Sequence, residues 1–195
     1  MLRTAKLSDV GRLAELHSSE LSTDFLPSLG MPFLVLLYTK LIKSPNIYIL
    51  VFESTGRVEG FIVGGSNFDK TFKNILSENI IQFSIVITPH VLKKPQIIKK
   101  IIETMFYTQK FGSRASSAEL VVLAVSKRFQ RIGLGRKLVN ILERKLKGIG
   151  ISKYRVSVNA GNAVANSFYK ALSFVEYNKF ELYGKEINIY IKKLK

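Results

Sequence analysis

Apolar and polar residues alternate along this chain in two periods, one of helices and one of strands. Leu2 to Ala5 reads as a short opening strand. Val10, Leu13, Leu16 and His17 then recur at helical spacing behind Ser8 or Asp9, either of which suits an N-cap. Leu21 to Gly30 reads as a loop punctuated by Pro27 and Gly30. A second helix runs from about Pro32 to Ile42 with Phe33, Leu36, Leu37 and Leu41 on a broad apolar face, and Pro45 ends it. Ile47 to Phe52 and Val58 to Val63 are dense β-branched and aromatic runs separated by Ser54-Thr55-Gly56-Arg57, which predicts a β-hairpin closed by Gly64-Gly65.

From Ser66 to Ser117 the pattern changes. Phe72 to Ile87 is apolar and mixed, Pro89 and Pro95 interrupt it, and Gln96 to Gln109 has helical spacing through Ile97, Ile98, Ile101, Ile102, Met105 and Phe106. Two helices are predicted. Lys93, Lys94, Lys99, Lys100 and Lys110 gather around the second as its solvated face, and Phe111 to Ser117 reads as a flexible serine- and glycine-rich lead.

The strongest pattern follows. Leu120 to Val125 is an apolar strand, Gln130-Arg131-Ile132-Gly133-Leu134-Gly135 a basic turn with two glycines, and Leu138, Ile141, Leu142 and Leu146 mark an amphipathic helix ending near Lys147 to Gly150. A helix start leaves backbone N–H groups unpaired and carries partial positive charge, so this turn can cradle a phosphate. Tyr154 to Val158 is another alternating strand. Asn159-Ala160-Gly161-Asn162 leads to a short helix ending near Leu172, and Phe174 to Leu182 with Glu186 to Ile191 form a last hairpin around Gly184. Helices interleaved with strands argue for an α/β or α+β sheet with covered faces, and with no repeat or long linker, residues 1–195 read as a single domain.

Composition narrows the chemistry. A content of 47% hydrophobic and 23% charged residues is that of an ordinary globular protein. There is no cysteine and there are two distant histidines, so no disulfide framework, thiolate metal site or cysteine nucleophile is expected, and no metal. The N-terminal segment lacks the apolar core of a secretory signal. The longest apolar stretch, Met31 to Leu37, is far short of the roughly 20 residues of a membrane helix, so no membrane insertion and a cytoplasmic location are expected. Thirty basic against fourteen acidic residues give a net charge of +16, which suits a polyanionic ligand, nucleic acid, an anionic membrane surface or a solvated lysine-rich exterior. No interleaving of aromatic and basic residues supports a base-stacking surface, which argues against nucleic acid.

In its order of elements and in two spaced motifs the chain resembles the GNAT superfamily of N-acetyltransferases. The acetyl-CoA motif Arg/Gln-x-x-Gly-x-Gly/Ala stands as Gln130, Gly133 and Gly135 after a strand. The motif Asn-x-x-Ala-x-x-x-Tyr, ending in Gly-Phe, stands as Asn162, Ala165 and Tyr169, with Ser173 in place of glycine before Phe174. The resemblance implies a central mixed, largely antiparallel sheet flanked by helices, a helical insertion at 66–117 between the third and fourth strands, and an acetyl-CoA-binding core at 118–174. It implies direct attack by an amine on the acetyl-CoA thioester, without an acyl-enzyme.

By the same resemblance the backbone of Leu123, Ala124 and Val125 would align the pantetheine arm and donate an N–H to the thioester carbonyl. Gln130, Arg131, Ile132, Gly133, Leu134, Gly135 and Arg136 would hold the pyrophosphate, with Lys137 adding charge. Asn159 and Asn162 would bind pantetheine amides or cap the helix carrying Tyr169, and Tyr169 would be the general acid. Glu119, eleven residues before Gln130, is the candidate base, at the offset of the strand glutamate in the histone-acetyltransferase branch.

The acceptor is expected to be a small-molecule primary amine such as an amino sugar. It would be chosen by Leu21 to Tyr38, by the insertion and by Tyr183-Gly184-Lys185. Glu20 and Asp24 would meet a cationic amine, whereas the basic insertion suits an anionic acceptor. The insertion could serve as a lid, a pocket wall or a homodimer surface. The alternatives are a protein or peptide N-acetyltransferase, or a non-catalytic module that binds CoA or nucleic acid.

Overall fold

A computed structural model describes residues 1–106 and 116–194 of the chain, so the expectations for Gln109, Lys110 and 111–115 lie outside the described residues. Seven strands form one sheet in the order β1-β2-β3-β4-β5-β7-β6. They are β1 Leu2–Thr4, β2 Ile47–Ser54, β3 Arg57–Ser66, β4 Ala118–Val125, β5 Lys153–Asn159, β6 Val175–Leu182 and β7 Lys185–Lys193. β4 and β5 run parallel and every other neighbouring pair is antiparallel. The β2–β3 turn places both Thr55 and Gly56 at positive φ (48° and 74°), the two-residue geometry whose twist matches that of the strands it joins.

Each face of the sheet carries a core, because successive strand residues point to opposite sides. On one face Ile49, Val51, Phe61, Val63 and Val122 pack with α1 (Val10–Glu20), α2 (Met31–Ile42) and part of the insertion. On the other, Leu50, Ile62 and Leu120 meet Leu138, Leu142 and Leu146 of α6 (Leu134–Gly148) and Tyr169 of α7 (Ala163–Ala171). α6 approaches β3 so closely that a Cβ on Gly64 would lie 2.6 Å from Leu142 Cδ2. Truncating a leucine such as Leu142, fully buried here, costs about 2–5 kcal/mol in general.

Two local expectations change. Asp9 precedes α1, but its side chain makes no cap; it takes the Arg3 guanidinium at 2.6 Å and the Lys6 N–H at 2.7 Å instead. Among its described residues the insertion holds three helices rather than two: α3 Phe68–Glu78, α4 Ile80–Lys93 and α5 Ile97–Phe106. α3 is amphipathic and α4 largely apolar, and Asn79 alone separates them, with an 86° bend, so their patterns merge in the sequence. Pro89 lies inside α4 rather than ending it. Among the described residues no single helix is long and apolar enough to cross a membrane.

Candidate active site

β4 and β5 pair at two rungs, Glu119 with Arg155 and Leu120 with Val156, and then diverge. A register shift opposite Val63 and Gly64 leaves Val121 as an extra residue in β4, a bulge at the point where the strands part. Beyond it, Ser126 N–H donates to Glu59 O at 2.8 Å, which fixes the alternation of the ladder. Ala124 therefore turns its backbone groups to Phe61 of β3, while Leu123 and Val125 turn theirs into the gap. Gln130 Nε2 donates to Val125 O at 2.8 Å and to Glu20 Oε2 at 3.1 Å, so this side chain ties the turn to the strand.

The turn itself leaves backbone donors at the start of α6 without a side-chain cap. Gly133 is the N-cap of α6 at φ 83°, and no side chain caps the helix. The first N–H groups of the helix, on Leu134, Gly135 and Arg136, are the ones an α-helix leaves without internal partners, whereas Lys137 N–H returns to Gly133 O at 3.1 Å. Arg131 is also left-handed (φ 61°), and Arg131, Ile132, Arg136 and Lys137 are exposed around the opening. A Cβ on Gly135 would press on Phe168 of α7 at 3.2 Å, so this glycine sets how closely the two helices meet.

α7 is held beside the start of α6, with Phe168 against Gly135. Asn162 Oδ1 accepts the Ala165 N–H at 3.0 Å, which is the cap anticipated for it, and Asn159 Oδ1 accepts the Gly161 N–H at 2.8 Å. Asn166, absent from the expectations, donates to the carbonyls of Asn159, Ala160 and Asn162 and accepts from Asn188 and Tyr190. It locks the loop and helix to β7. Tyr169 is buried between Phe168 and Phe174, each with ring centroids just over 5 Å away (5.2 and 5.3 Å). Burial pushes its pKa up, so the hydroxyl stays protonated, and among the described residues it has no hydrogen-bond partner.

On the other side of the gap lies a cavity of about 450 Å³. The three segments expected to choose the acceptor all reach it: Phe25 and Tyr38, then Phe72 and Lys100, then Tyr183 and Lys185. The insertion thus forms a wall of the cavity. Asp24 also lines it, its carboxyl pushed up by burial and drawn back by Lys185.

Polar side chains of β5 project to the cavity because Tyr154, Val156 and Val158 occupy the core face. Ser157 and Asn159 line it, and Arg155 bridges Glu119 (2.8 Å) and Asp69 (2.9 Å). Glu119 is buried behind this row and accepts from Ser157 Oγ at 3.3 Å; burial raises its pKa and Arg155 opposes the rise. The alternation over 154–159 was the signal that could have revealed Arg155 and Ser157. Nothing in sequence could have paired them with Asp69. His17 lines the cavity as well, its Nδ1 2.7 Å from Tyr38 Oη, and desolvation lowers its pKa to about 4, so it is neutral at pH 7. No cluster of three or more metal-ligating His, Asp or Glu occurs among the described residues.

Residues 18–174 match the family model described as the acetyltransferase (GNAT) family. Among curated proteins none matches the chain. Solved structures share its fold over their whole length. A ribosomal-protein-alanine N-acetyltransferase from Brucella melitensis is 15% identical, with 100% of this chain and 99% of that chain covered at a TM-score of 0.64. Ard1 from Thermoplasma volcanium is 16% identical over 100% and 97% at 0.63. The PaiA N-acetyltransferase of Thermoplasma acidophilum, in complex with coenzyme A, is 16% identical over 99% and 98% at 0.62.

Proposed function

The chain belongs to the acetyltransferase (GNAT) family, and from that membership we propose that it moves an acetyl group from acetyl-CoA to the primary amine of a small molecule by direct attack. The observation that carries this reading is one juxtaposition: the uncapped start of α6, the gap between β4 and β5, and the cavity beyond it lie along one path.

Acetyl-CoA fits the first two parts. The N–H groups of Leu134, Gly135 and Arg136 would take the pyrophosphate, with Gly133 leaving room, Arg131, Arg136 and Lys137 adding charge, and exposed Ile132 and tethered Gln130 shaping the turn. The backbone of Leu123 and Val125 would align the pantetheine arm, and an N–H there would stabilise the negative charge that builds on the thioester oxygen. Asn159 and Asn162, with their side-chain oxygens occupied by the loop, serve this site by fixing its shape.

The amine nitrogen forms a bond to the carbonyl carbon, the C–S bond breaks, the thiolate takes the Tyr169 proton and the amine gives up one of its own. Glu119 would accept that proton through Ser157, which stands between it and the cavity. Asp24 offers the cavity an anionic group for an ammonium, and Lys73, Lys100 and Lys185 offer cations for an anionic substituent. An amino sugar bearing an acidic group matches both. A cytoplasmic setting, with its supply of acetyl-CoA, accords with this activity, and residues 1–195 would act as one acetyltransferase domain.

Thiol release from acetyl-CoA against amino sugars, polyamines, amino acids and peptides tests the proposal. Turnover is expected with a small amine, together with thermal stabilisation by acetyl-CoA alone. Preference for a peptide would replace the small-molecule reading, and absence of any stabilisation would remove the cofactor assignment.

A further inference from the structure

α4 carries large apolar side chains well beyond its packed side, with Gln82, Ser84 and Thr88 as its exposed polar residues before His90. Its sequence, IIQFSIVITPHVLK, holds no acidic residue and no lysine before Lys93. Phe83 is 3% exposed and faces the core, whereas Ile81, Ile85 and Leu92 are 74%, 68% and 79% exposed. At about 100° per residue these three fall on the side of the helix opposite Phe83. α5 repeats the arrangement, with Ile97 buried and Ile98 and Ile102 exposed. A surface helix ordinarily presents polar residues outward. These two neighbouring helices present isoleucine and leucine.

The charges around the aliphatic residues say what covers them. Residues 80–104 contain four lysines, Lys93, Lys94, Lys99 and Lys100, and one acid, Glu103. The Glu103 carboxylate is engaged by the Tyr183 N–H at 2.8 Å. We propose that the outward faces of α4 and α5 dock on the surface of an anionic lipid bilayer, the aliphatic side chains entering the acyl boundary and Lys93, Lys94 and Lys99 meeting the headgroups, while Lys100 faces the cavity. Aliphatic residues rimmed by lysine are what an interfacial helix requires. Protein interfaces favour aromatic residues and arginine and are depleted in lysine. A second copy of the chain would bring together two lysine-rimmed surfaces on molecules of net charge +16, so electrostatics oppose it. The surface is built from the insertion that also walls the cavity, through Lys100 and Thr104 of α5, so docking would set the cavity beside the lipid.

Co-sedimentation of the full chain with vesicles tests this directly. Vesicles of phosphatidylcholine with about 30 mol % phosphatidylglycerol should bind it, and pure phosphatidylcholine should bind it at least about tenfold more weakly. The triple substitution Ile81→Ser, Ile85→Ser and Leu92→Ser removes apolar area without altering charge. It should lower binding to anionic vesicles by about tenfold or more while leaving the melting temperature and circular dichroism near those of the parent. Equal binding by parent and variant would mean that charge elsewhere on the protein does the binding, and would overturn the proposal. So would failure to bind anionic vesicles, or a dimer in sedimentation velocity that the triple substitution dissolves.

Discussion

Arg155 and Glu119 face each other across the first of the two rungs that join β4 to β5, with Nη2 2.8 Å from Oε2, one residue before the strands part. The ion pair therefore sits at the vertex of the gap, and it is buried on both sides. Arg155 also holds Asp69 of the insertion, so the same guanidinium ties the cavity wall to the sheet. Burial raises the Glu119 pKa against the pull of Arg155, which makes the carboxylate a better proton acceptor than an exposed one.

Replacing Glu119 with Gln should lower kcat by about 10²-fold, with little change in the KM for acetyl-CoA. It should also flatten the acid limb of the kcat/KM profile, since the parent loses its base as pH falls and the variant has none to lose. Asp69→Asn should keep that limb. Glu119→Gln weakens a buried ion pair, at a cost of about 3 kcal/mol, and Asp69→Asn a partly exposed one at a smaller cost, so melting curves must accompany the kinetics. An unchanged acid limb in Glu119→Gln would end the base assignment.

Tyr169→Phe removes a hydroxyl that has no partner among the described residues. Its stability should stay within about 1 kcal/mol of the parent, while kcat falls about 10²-fold or more. Full turnover by a folded Tyr169→Phe protein with a good amine would remove the general acid.

His17 makes stability depend on pH. Its folded pKa is about 4 against the ordinary 6.5 of histidine, because burial disfavours the charged ring. The unfolded chain thus binds the proton more readily between these values, and stability is lost as pH falls from 6.5 toward 4. The ceiling is about 3 kcal/mol. Thermal unfolding from pH 7 to pH 4 should show the loss, and His17→Gln should reduce it.

Ser173 occupies the left-handed region at φ 65° after the end of α7, where Phe174 N–H returns to Tyr169 O at 3.1 Å. A side chain there is strained, and the family's glycine is not. Ser173→Gly should raise stability by about 1 kcal/mol, seen as a melting temperature higher by about 2–4 °C.

Much of this was legible in sequence because it is local. The strand, the glycine turn and the helix of 118–148 each show their own period, and Asn162 reads as a cap from its position alone. Ser173 stood out as a substitution, and the structure supplies its physical meaning. The α3–α4 boundary was hidden because Asn79 separates two helical patterns without glycine or proline, while Pro89, the visible breaker, breaks nothing. The charged cluster behind the cavity was hidden for a different reason. Asp69, Glu119 and Arg155 meet only through tertiary packing, and no spacing along the chain encodes that contact. Asn166 was masked by its neighbours in the motif, although a polar residue on the buried side of a short helix was a clue.

The two rungs between β4 and β5 divide the sheet into a plate of β1 to β4 and a plate of β5 to β7 joined along a short seam. Past the seam, backbone donors and acceptors of β4 and β5 face one another across open space, and neither strand can satisfy the other. An extended amide-bearing molecule laid between them would act as a borrowed strand. On the proposed reading acetyl-CoA would complete the sheet here, and the amide protons of Leu123 and Val125 should exchange more slowly with acetyl-CoA than without it.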